Sequence, residues 1–322
     1  MELDFTSIGE VMVQLNALSP GPLRYVKYFE VHVAGSESNI MVGLVKLGYK
    51  TGIVTRVGND EFGKLVLNFL RGEGVDVSRV KVDESAPTGI YFIQRHYPVP
   101  GKSTVFYYRH GSAASRLSPN DVDDDYLANS RAVVLTGITP ALSDSCREAV
   151  NKAYEVAKAN NVDVIFDTNI RMKLWRDESR ARESLAKFLN SNIVFTNIED
   201  LGILFPGNSV SSAASKIISK GCNLVVVKLG EEGAVAYDSK LNTYRVEAFK
   251  VPLVEDVIGA GDAFNAAFIA SLYRGMSIDQ ALLYANAAGA LVVTVRGDVE
   301  AQPSWQELEI FIESYRKAVM LR

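Results

Sequence analysis

Cysteine and histidine are scarce in this 322-residue chain, which contains two cysteines, Cys146 and Cys222, and three histidines. So few of these residues exclude a disulfide framework and a zinc site built from cysteine and histidine. Charge of one sign is also scarce, because the formal net charge is only −4 and lysine and arginine form no run. This balance argues against a nucleic-acid-binding protein that depends on phosphate neutralisation.

Long apolar segments are missing as well. The longest stretch without a charged residue runs from Gln280 to Val295, and it includes Asn286 and Thr294. Because a membrane-spanning helix needs about 20 apolar residues, we expect a buried core helix there instead. The segment 1–5 is acidic, and no apolar signal-peptide region follows it. We therefore predict a cytoplasmic protein with no membrane partner.

The chain does contain a regular alternation of short β-branched runs and amphipathic helical stretches. The predicted strands cover 52–57, 132–136, 162–167, 192–196 and 223–228, and the helices between them cover 38–47, 62–70, 143–160, 179–189 and 211–219. An antiparallel pair is expected at 233–238 and 243–249, followed by helices at about 260–273, 278–293 and 304–320. This pattern predicts a doubly wound α/β fold, with a mainly parallel sheet and helices on both faces.

Two segments, at about 12–33 and 88–112, interrupt this alternation, and the second reads as strand, turn and strand. We expect them to form a small second β-sheet that covers a site as a lid. The α/β core would then comprise about 1–11, 34–87 and 113–322, within one unit spanning 1–322. The alternative is that both segments extend the edge of the main sheet.

The segment from Gly58 to Leu65 has the glycine and lysine spacing of a phosphate-binding P-loop. However, Leu65 stands where such a loop has a magnesium-binding serine or threonine, and Asp60 and Glu61 would repel phosphates. We interpret the segment as a helix start, with both carboxylates at the positive end of the helix dipole.

The segment 255–268 carries the clearest chemical signal. Gly259 and Gly261 flank Ala260 at a predicted helix start, and Asp262 follows at once. The glycines let the backbone approach a ligand closely, and the unpaired N–H groups of a helix start can hold an anion. A carboxylate at the start of a nearly uncharged helix is costly unless it has a function. The alternative is an ordinary capping aspartate on a core helix.

Two segments together resemble the signatures of the ribokinase-like (PfkB) family of sugar kinases, and the likeness covers nearly the whole chain. The first signature runs over 33–48, with Gly35, Ser36 and Asn39, and continues over 57–63, and the second covers 256–262.

Two departures from the family pattern stand out. Val257 replaces the usual threonine, and Asp200 replaces the glutamate of an Asn-x-x-Glu element that begins at Asn197.

Two further stretches, 106–113 and 167–175, resemble motifs of the 2-keto-3-deoxygluconate kinases within that family. Their substrate is a sugar acid, and arginine can bind a carboxylate bidentately, which favours Arg109 and Arg171 as ligands. Tyr107 would supply an apolar wall and one hydroxyl. Surface ion pairs for the arginines and packing on a strand face for the tyrosine are the alternatives.

The resemblance implies ATP-dependent phosphorylation of 2-keto-3-deoxygluconate to the 6-phosphate. Asp262 would be the general base, and the N–H groups of Gly259, Ala260 and Gly261 would form an anion hole. The implied substrate-binding residues are Gly35, Ser36, Asn39, Tyr91, Tyr107, Arg109, Arg171, Asp262 and Asp298. The implied nucleotide-binding residues are Asn169, Arg171, Asn197, Lys228, Gly230, Gly233, Gly259, Ala260 and Gly261. Mg²⁺ would be held mainly by the nucleotide, with a water link to Asp200.

Two other functions stay open from the sequence. A kinase of the same family that acts on a neutral sugar such as fructose or ribose, or on a nucleoside, would not need two arginines aimed at a carboxylate. A catalytically silent sugar-acid sensor would not need a base beside an anion hole. Whether the C4 epimer derived from galactonate is also a substrate stays open too. By its resemblance to the family, the chain is expected to form at least a homodimer through the lid.

Overall fold

The computed structural model describes the backbone of residues 3–320 and the side chains of residues 3–317. The two ends of the predicted α/β core, 1–2 and 321–322, lie outside the described residues. The strands are β1 (Leu3–Ile8), β2 (Met12–Ala17), β3 (Phe29–Ala34), β4 (Thr51–Gly58), β5 (Val80–Asp83), β6 (Ile90–Gln94), β7 (Thr104–Tyr108), β8 (Ser130–Thr136), β9 (Asp163–Asp167), β10 (Ile193–Asn197), β11 (Leu224–Lys228), β12 (Ala234–Asp238) and β13 (Thr243–Val246). The α-helices are α1 (Ser36–Lys46), α2 (Glu61–Gly72), α3 (Asp124–Ala128), α4 (Asp144–Ala159), α5 (Met172–Trp175), α6 (Glu178–Leu185), α7 (Ile198–Leu204), α8 (Val210–Ile218), α9 (Ala260–Tyr273), α10 (Ile278–Val292) and α11 (Trp305–Met320).

Nine strands form the large sheet in the order β13-β12-β11-β10-β9-β8-β1-β4-β5. The strands from β11 to β5 pair in parallel, whereas β12 and β13 add an antiparallel edge. The predicted α/β fold with a mainly parallel sheet is therefore confirmed.

The sheet is buried on both faces, as its β-branched strands require. Along β8, Ala132 and Val134 face one apolar layer, and Val133 and Leu135 face the other. Helices α1, α2, α9, α10 and α11 contribute to the first layer, and α4, α6, α7 and α8 contribute to the second. Both cysteines are free and lie in this second layer, where they fill space between apolar side chains.

The second sheet, which we call the lid, has the order β3-β2-β6-β7 and is separate from the large sheet. Its outer pairs are antiparallel and its central pair, β2 with β6, is parallel. This confirms the predicted small second sheet and excludes an extension of the main sheet. One lid face buries Met12, Tyr91 and Ile93 together, with Val105 against them.

Several short elements were not predicted, among them β5, α5 and α7. α7 begins where Asn197 accepts a hydrogen bond from the backbone N–H of Asp200, so the expected Asn-x-x-Asp element is itself a helix cap. The predicted helix start after Gly58 is confirmed, because Asp60 caps α2 by accepting a bond from the N–H of Gly63 over 2.7 Å. In the part of the chain that the structure describes, no helix is both long and apolar enough to cross a membrane.

The parallel pairing brings the carboxyl ends of successive strands to one edge of the sheet. Asp167 ends β9, Asn197 ends β10 and Lys228 ends β11. Open α/β sheets bind ligands at this edge. The chain enters the lid twice: β2 and β3 follow β1, and β6 and β7 follow β5 and end just before Arg109.

Candidate active site

A cavity of about 430 Å³ lies between the lid and this edge of the sheet. It brings together most of the residues that the sequence predicts for the site. These are Gly35, Ser36, Asn39, Tyr91, Tyr107, Arg109, Asn169, Arg171, Asn197, Lys228, Gly230, Gly259, Gly261, Asp262 and Asp298.

The glycine turn before α9 forms one wall of the cavity. Gly259 has a left-handed backbone with φ of 83°, and a Cβ there would lie 2.6 Å from the carbonyl oxygen of Asp298. Both observations require glycine at this position. The turn opens α9, whose first N–H groups have no partner within the helix, so it offers hydrogen-bond donors to an anion.

Asp262 sits in the first turn of α9 and is only 9% exposed. Ser36 donates to its Oδ1 over 2.7 Å, and Asn39 donates to its Oδ2 over 2.8 Å. Burial raises the pKa of Asp262, while these two hydrogen bonds oppose the rise by favouring the carboxylate. The side chain is therefore an oriented carboxyl group beside the helix start, and it does not cap α9, because the N-cap position is Gly259.

Asp298 lies next to Asp262, and the two carboxylates share one donor. Nδ2 of Asn39 also reaches Oδ2 of Asp298 over 3.0 Å, and Nε2 of Gln14 donates to Oδ1 over 2.6 Å. Burial, followed by the charge of Asp262, raises the pKa of Asp298 to about 7. Asp298 therefore holds a proton more readily than an exposed carboxyl group does.

The lid contributes an aromatic wall. The rings of Tyr91 and Tyr107 lie 5.5 Å apart between centroids, and the guanidinium of Arg109 stands 5.3 Å from the ring of Tyr107. Tyr108, the next residue, points to the opposite face and is 66% exposed. The ion pair considered for Arg109 exists, but it is buried and its partner is Glu10.

The end of β11 supplies a second cation. Nζ of Lys228 lies 3.0 Å from Oδ2 of Asp167, and Asn265 of α9 donates to the same oxygen over 2.6 Å. The other oxygen of Asp167, Oδ1, is buried without a hydrogen-bond partner among the described residues. This part of the cavity thus has both a positive charge and a carboxylate oxygen that accepts no hydrogen bond from the described residues.

The loop after β9 carries Asn169 and Arg171. Nδ2 of Asn169 donates to Oγ of Ser36 over 2.9 Å, which continues the chain of hydrogen bonds to Asp262. Arg171 is exposed at the cavity, and its guanidinium has no ion-pair or hydrogen-bond partner among the described residues. It is free to meet an incoming anion.

Three predicted residues do not line the cavity in the structure. Ala260 is the first residue of α9, between two glycines that do. Gly233 has φ of 95°, and a Cβ there would lie 2.1 Å from the carbonyl oxygen of Val246. The close approach of β13 to the start of β12 therefore requires glycine at this position. Asp200 is buried behind the strand ends, where it accepts bonds from Oγ1 of Thr168 and the N–H of Ile170.

Several residues of the site were not predicted from the sequence. Glu10, Glu37 and Asp167 line the cavity, and Gln14 binds Asp298 from behind it. Asp167 ends a predicted strand, and that position was a usable signal. Glu37 is fully buried and bound to Thr136 and Thr139, and burial raises its pKa to about 6. Gln14 binds Asp298 and Glu10 binds Arg109, and both partners lie far along the chain, so no local pattern predicts these contacts.

Comparisons with known proteins agree with this geometry. The model of the family described as pfkB family carbohydrate kinase matches residues 3–305. The chain is 47% identical to the 2-dehydro-3-deoxygluconokinase of Thermoproteus tenax over 97% of this chain and 95% of that protein. It is 32% identical to the 5-dehydro-2-deoxygluconokinase of Bacillus subtilis over 97% of this chain and 96% of that protein.

A solved structure is similar as well. A ribokinase II candidate from Escherichia coli, in complex with ATP and Mg²⁺, superposes with a TM-score of 0.90 at 30% identity, covering 97% of this chain and 99% of that chain. With the family model spanning most of its length, the chain belongs to the pfkB family of carbohydrate kinases.

Proposed function

We propose that this kinase transfers the γ-phosphoryl group of ATP to the 6-hydroxyl of 2-keto-3-deoxygluconate, also called 2-dehydro-3-deoxygluconate. One observation carries the proposal: a single cavity holds the oriented carboxylate of Asp262, the N–H groups of a helix start and the cation of Arg171, which has no partner in the described part of the chain. The 47% identity to a 2-dehydro-3-deoxygluconokinase supports the same substrate class.

In this mechanism, the substrate hydroxyl oxygen attacks the γ-phosphorus while its proton passes to Asp262. The bond between the γ-phosphorus and the bridging oxygen breaks, and ADP leaves with the electron pair. The N–H groups at Gly259, Ala260 and Gly261 stabilise the charge on the equatorial phosphoryl oxygens. Ser36 and Asn39 keep the carboxylate in place, and the lid excludes water, which would otherwise accept the phosphoryl group.

The cavity also suits the magnesium ion that accompanies ATP. The nucleotide phosphates would hold most of its coordination sites, and the unpartnered Oδ1 of Asp167 fits a water-mediated link to it. Asn197 lines the cavity beside it, whereas the bonds that Asp200 accepts from Thr168 and Ile170 make it the weaker candidate. When bound, the ion neutralises charge on the transferring phosphoryl group.

The remaining ligands follow from the same cavity. Arg109, Arg171 and the wall of Tyr91 and Tyr107 would hold the sugar acid, together with Gly35 and Asp298. Asn169, Lys228 and Gly230 would lie on the nucleotide side. We also propose a reducing, cytoplasmic setting, which the two free, buried thiols support.

A substrate panel tests the function. We expect ADP formation with 2-keto-3-deoxygluconate and ATP, and phosphorus NMR should place the phosphate on the 6-oxygen. The galactonate-derived epimer and 5-dehydro-2-deoxygluconate belong in the panel as sugar-acid competitors. Turnover only with fructose, ribose or a nucleoside would contradict the proposal, and tight sugar-acid binding in calorimetry without ATP consumption would indicate a sensor.

Asp262→Asn tests the base. The amide keeps the shape of the side chain but cannot accept the proton, so kcat should fall by about 10²- to 10⁴-fold, while nucleotide binding measured by calorimetry should stay intact. Asp298→Asn is the matched control, because it alters the neighbouring buried carboxyl group, and it should raise the sugar KM more than it lowers kcat. Wild-type turnover in Asp262→Asn would remove the base assignment.

Arg171→Ala tests recognition of the carboxylate. Because a charge-assisted hydrogen bond contributes about 1.5–3 kcal/mol, the KM for the sugar acid should rise by about 10- to 100-fold, with the KM for ATP little changed. Arg180→Ala, an arginine at α6 that pairs with Asp144 outside the cavity, serves as the control. An unchanged sugar KM would place Arg171 outside the substrate site.

We further propose that two copies of the chain pair through the outer face of the lid. That face is apolar, with Val31, Phe106 and Tyr108 exposed, and with Phe92 in edge-to-face contact with Phe29 and Tyr108. Large exposed apolar patches mark interfaces, and a face without charged side chains can meet its own copy without repulsion.

Phe106→Glu tests this interface. A charge on the outer face should turn the dimer into a monomer in sedimentation velocity, because two carboxylates would be buried against each other. Ile310→Glu, at an even more exposed apolar residue on α11, should leave the dimer intact. A wild-type protein that sediments as a monomer at micromolar concentration would refute the proposal.

A further inference from the structure

A buried ion pair joins two of the places where the chain crosses between core and lid. Glu10 lies between β1 of the large sheet and β2 of the lid, and Arg109 directly follows lid strand β7. The two residues are 2% and 8% exposed. Nε of Arg109 donates to Oε2 of Glu10 over 2.6 Å, and Nη2 contacts the same oxygen.

Glu10 is itself held in one position. Oγ of Ser112, three residues after Arg109, donates to Oε1 of Glu10 over 2.5 Å. On its other side, a Cβ at Gly89 would lie 2.6 Å from the same Oε1, so backbone packs directly against the carboxylate. The carboxylate therefore acts as a fixed point against which the guanidinium is oriented.

This contact determines which side of Arg109 faces the cavity. A guanidinium presents its N–H groups in one plane, so fixing Nε and Nη2 also fixes the direction of Nη1. Arg109 lines the cavity over the ring of Tyr107, and Nη1 has no hydrogen-bond partner among the described residues. We propose that Glu10 is a positioning residue that aims Arg109 at the carboxylate of the sugar acid, an inference that rests on the proposed function.

The charge of Glu10 is needed for this role. Without it, Arg109 would be a buried cation with no partner, and its side chain would turn toward any acceptor or toward water. In Glu10→Gln, the single acceptor oxygen cannot serve both Ser112 and Arg109 at the present geometry. We expect the KM for the sugar acid to rise by about 10- to 100-fold, with kcat and the KM for ATP within about threefold of wild type.

A double-mutant comparison separates positioning from a purely structural role. If Glu10 acts through Arg109, then Glu10→Gln should add little to the KM of Arg109→Ala. Added guanidinium ion gives a second readout, because it should restore part of the sugar-acid affinity of Arg109→Ala, where Glu10 can hold it. The same ion should not rescue Glu10→Gln/Arg109→Ala.

Wild-type KM in a folded Glu10→Gln, or an equal rise in KM in the Arg109→Ala background, would overturn the proposal. Should Glu10→Gln fail to fold, Glu10→Asp keeps the charge but shortens the reach, and it should show the same selective rise in sugar KM. Calorimetry of sugar-acid binding to wild type and Glu10→Gln needs no turnover. Weaker binding in the variant would support the positioning role even if the wild-type protein consumed no ATP. Failure of the positioning proposal can therefore be told apart from failure of the proposed kinase function.

Discussion

One side-chain amide, that of Asn39, holds two buried carboxylates together, and the arrangement of the site depends on it. Its Nδ2 lies 2.8 Å from Asp262 and 3.0 Å from Asp298, so two groups that would repel each other when ionised meet at a single donor. This contact requires a close approach of α1 and α9. The approach is possible because Gly43 of α1 faces Ala266 of α9, where an added Cβ would lie only 2.7 Å from the alanine methyl group. Small residues at the crossing of two helices thus set the position of Asp262.

The three cations that line the cavity differ in whether they already have a partner. Arg109 is bound to Glu10, and Lys228 is bound to Asp167, so each cation is partly neutralised before any ligand arrives. Arg171 has no such partner among the described residues, and its full charge is available to an anion. A paired cation contributes orientation, because its free N–H groups point in a fixed direction, whereas an unpaired cation contributes electrostatic attraction.

Prediction from sequence succeeded where the signal was local. The glycine turn before Asp262, the helix start at Asp60 and Glu61, and the alternation of strands and helices all depend on residues close together in the chain. Prediction failed where a role depends on distant partners: Gln14 acts on Asp298 across 284 positions, and nothing near Gln14 indicates this. For Asp200, a motif position predicts a water link to magnesium, and the sequence does not indicate that its carboxylate joins the first turn of α7 to Thr168 and Ile170 after β9.

The lid also determines the electrostatics of the site that it covers. Gln14 of β2 and Tyr91 of β6 contact Asp298. Burial of that carboxyl group is the main reason that its pKa rises to about 7, whereas the hydrogen bonds from Asn39 and Gln14 oppose the rise. The charge of Asp262 adds to this rise, so ionisation of one carboxyl group opposes ionisation of the other. Burial raises the pKa of Asp262 too, but the hydrogen bonds that Ser36 and Asn39 donate to it favour its carboxylate form. Both donors belong to α1, so the lid contributes burial to the pair of carboxyl groups while α1 contributes the donors that favour an ionised Asp262.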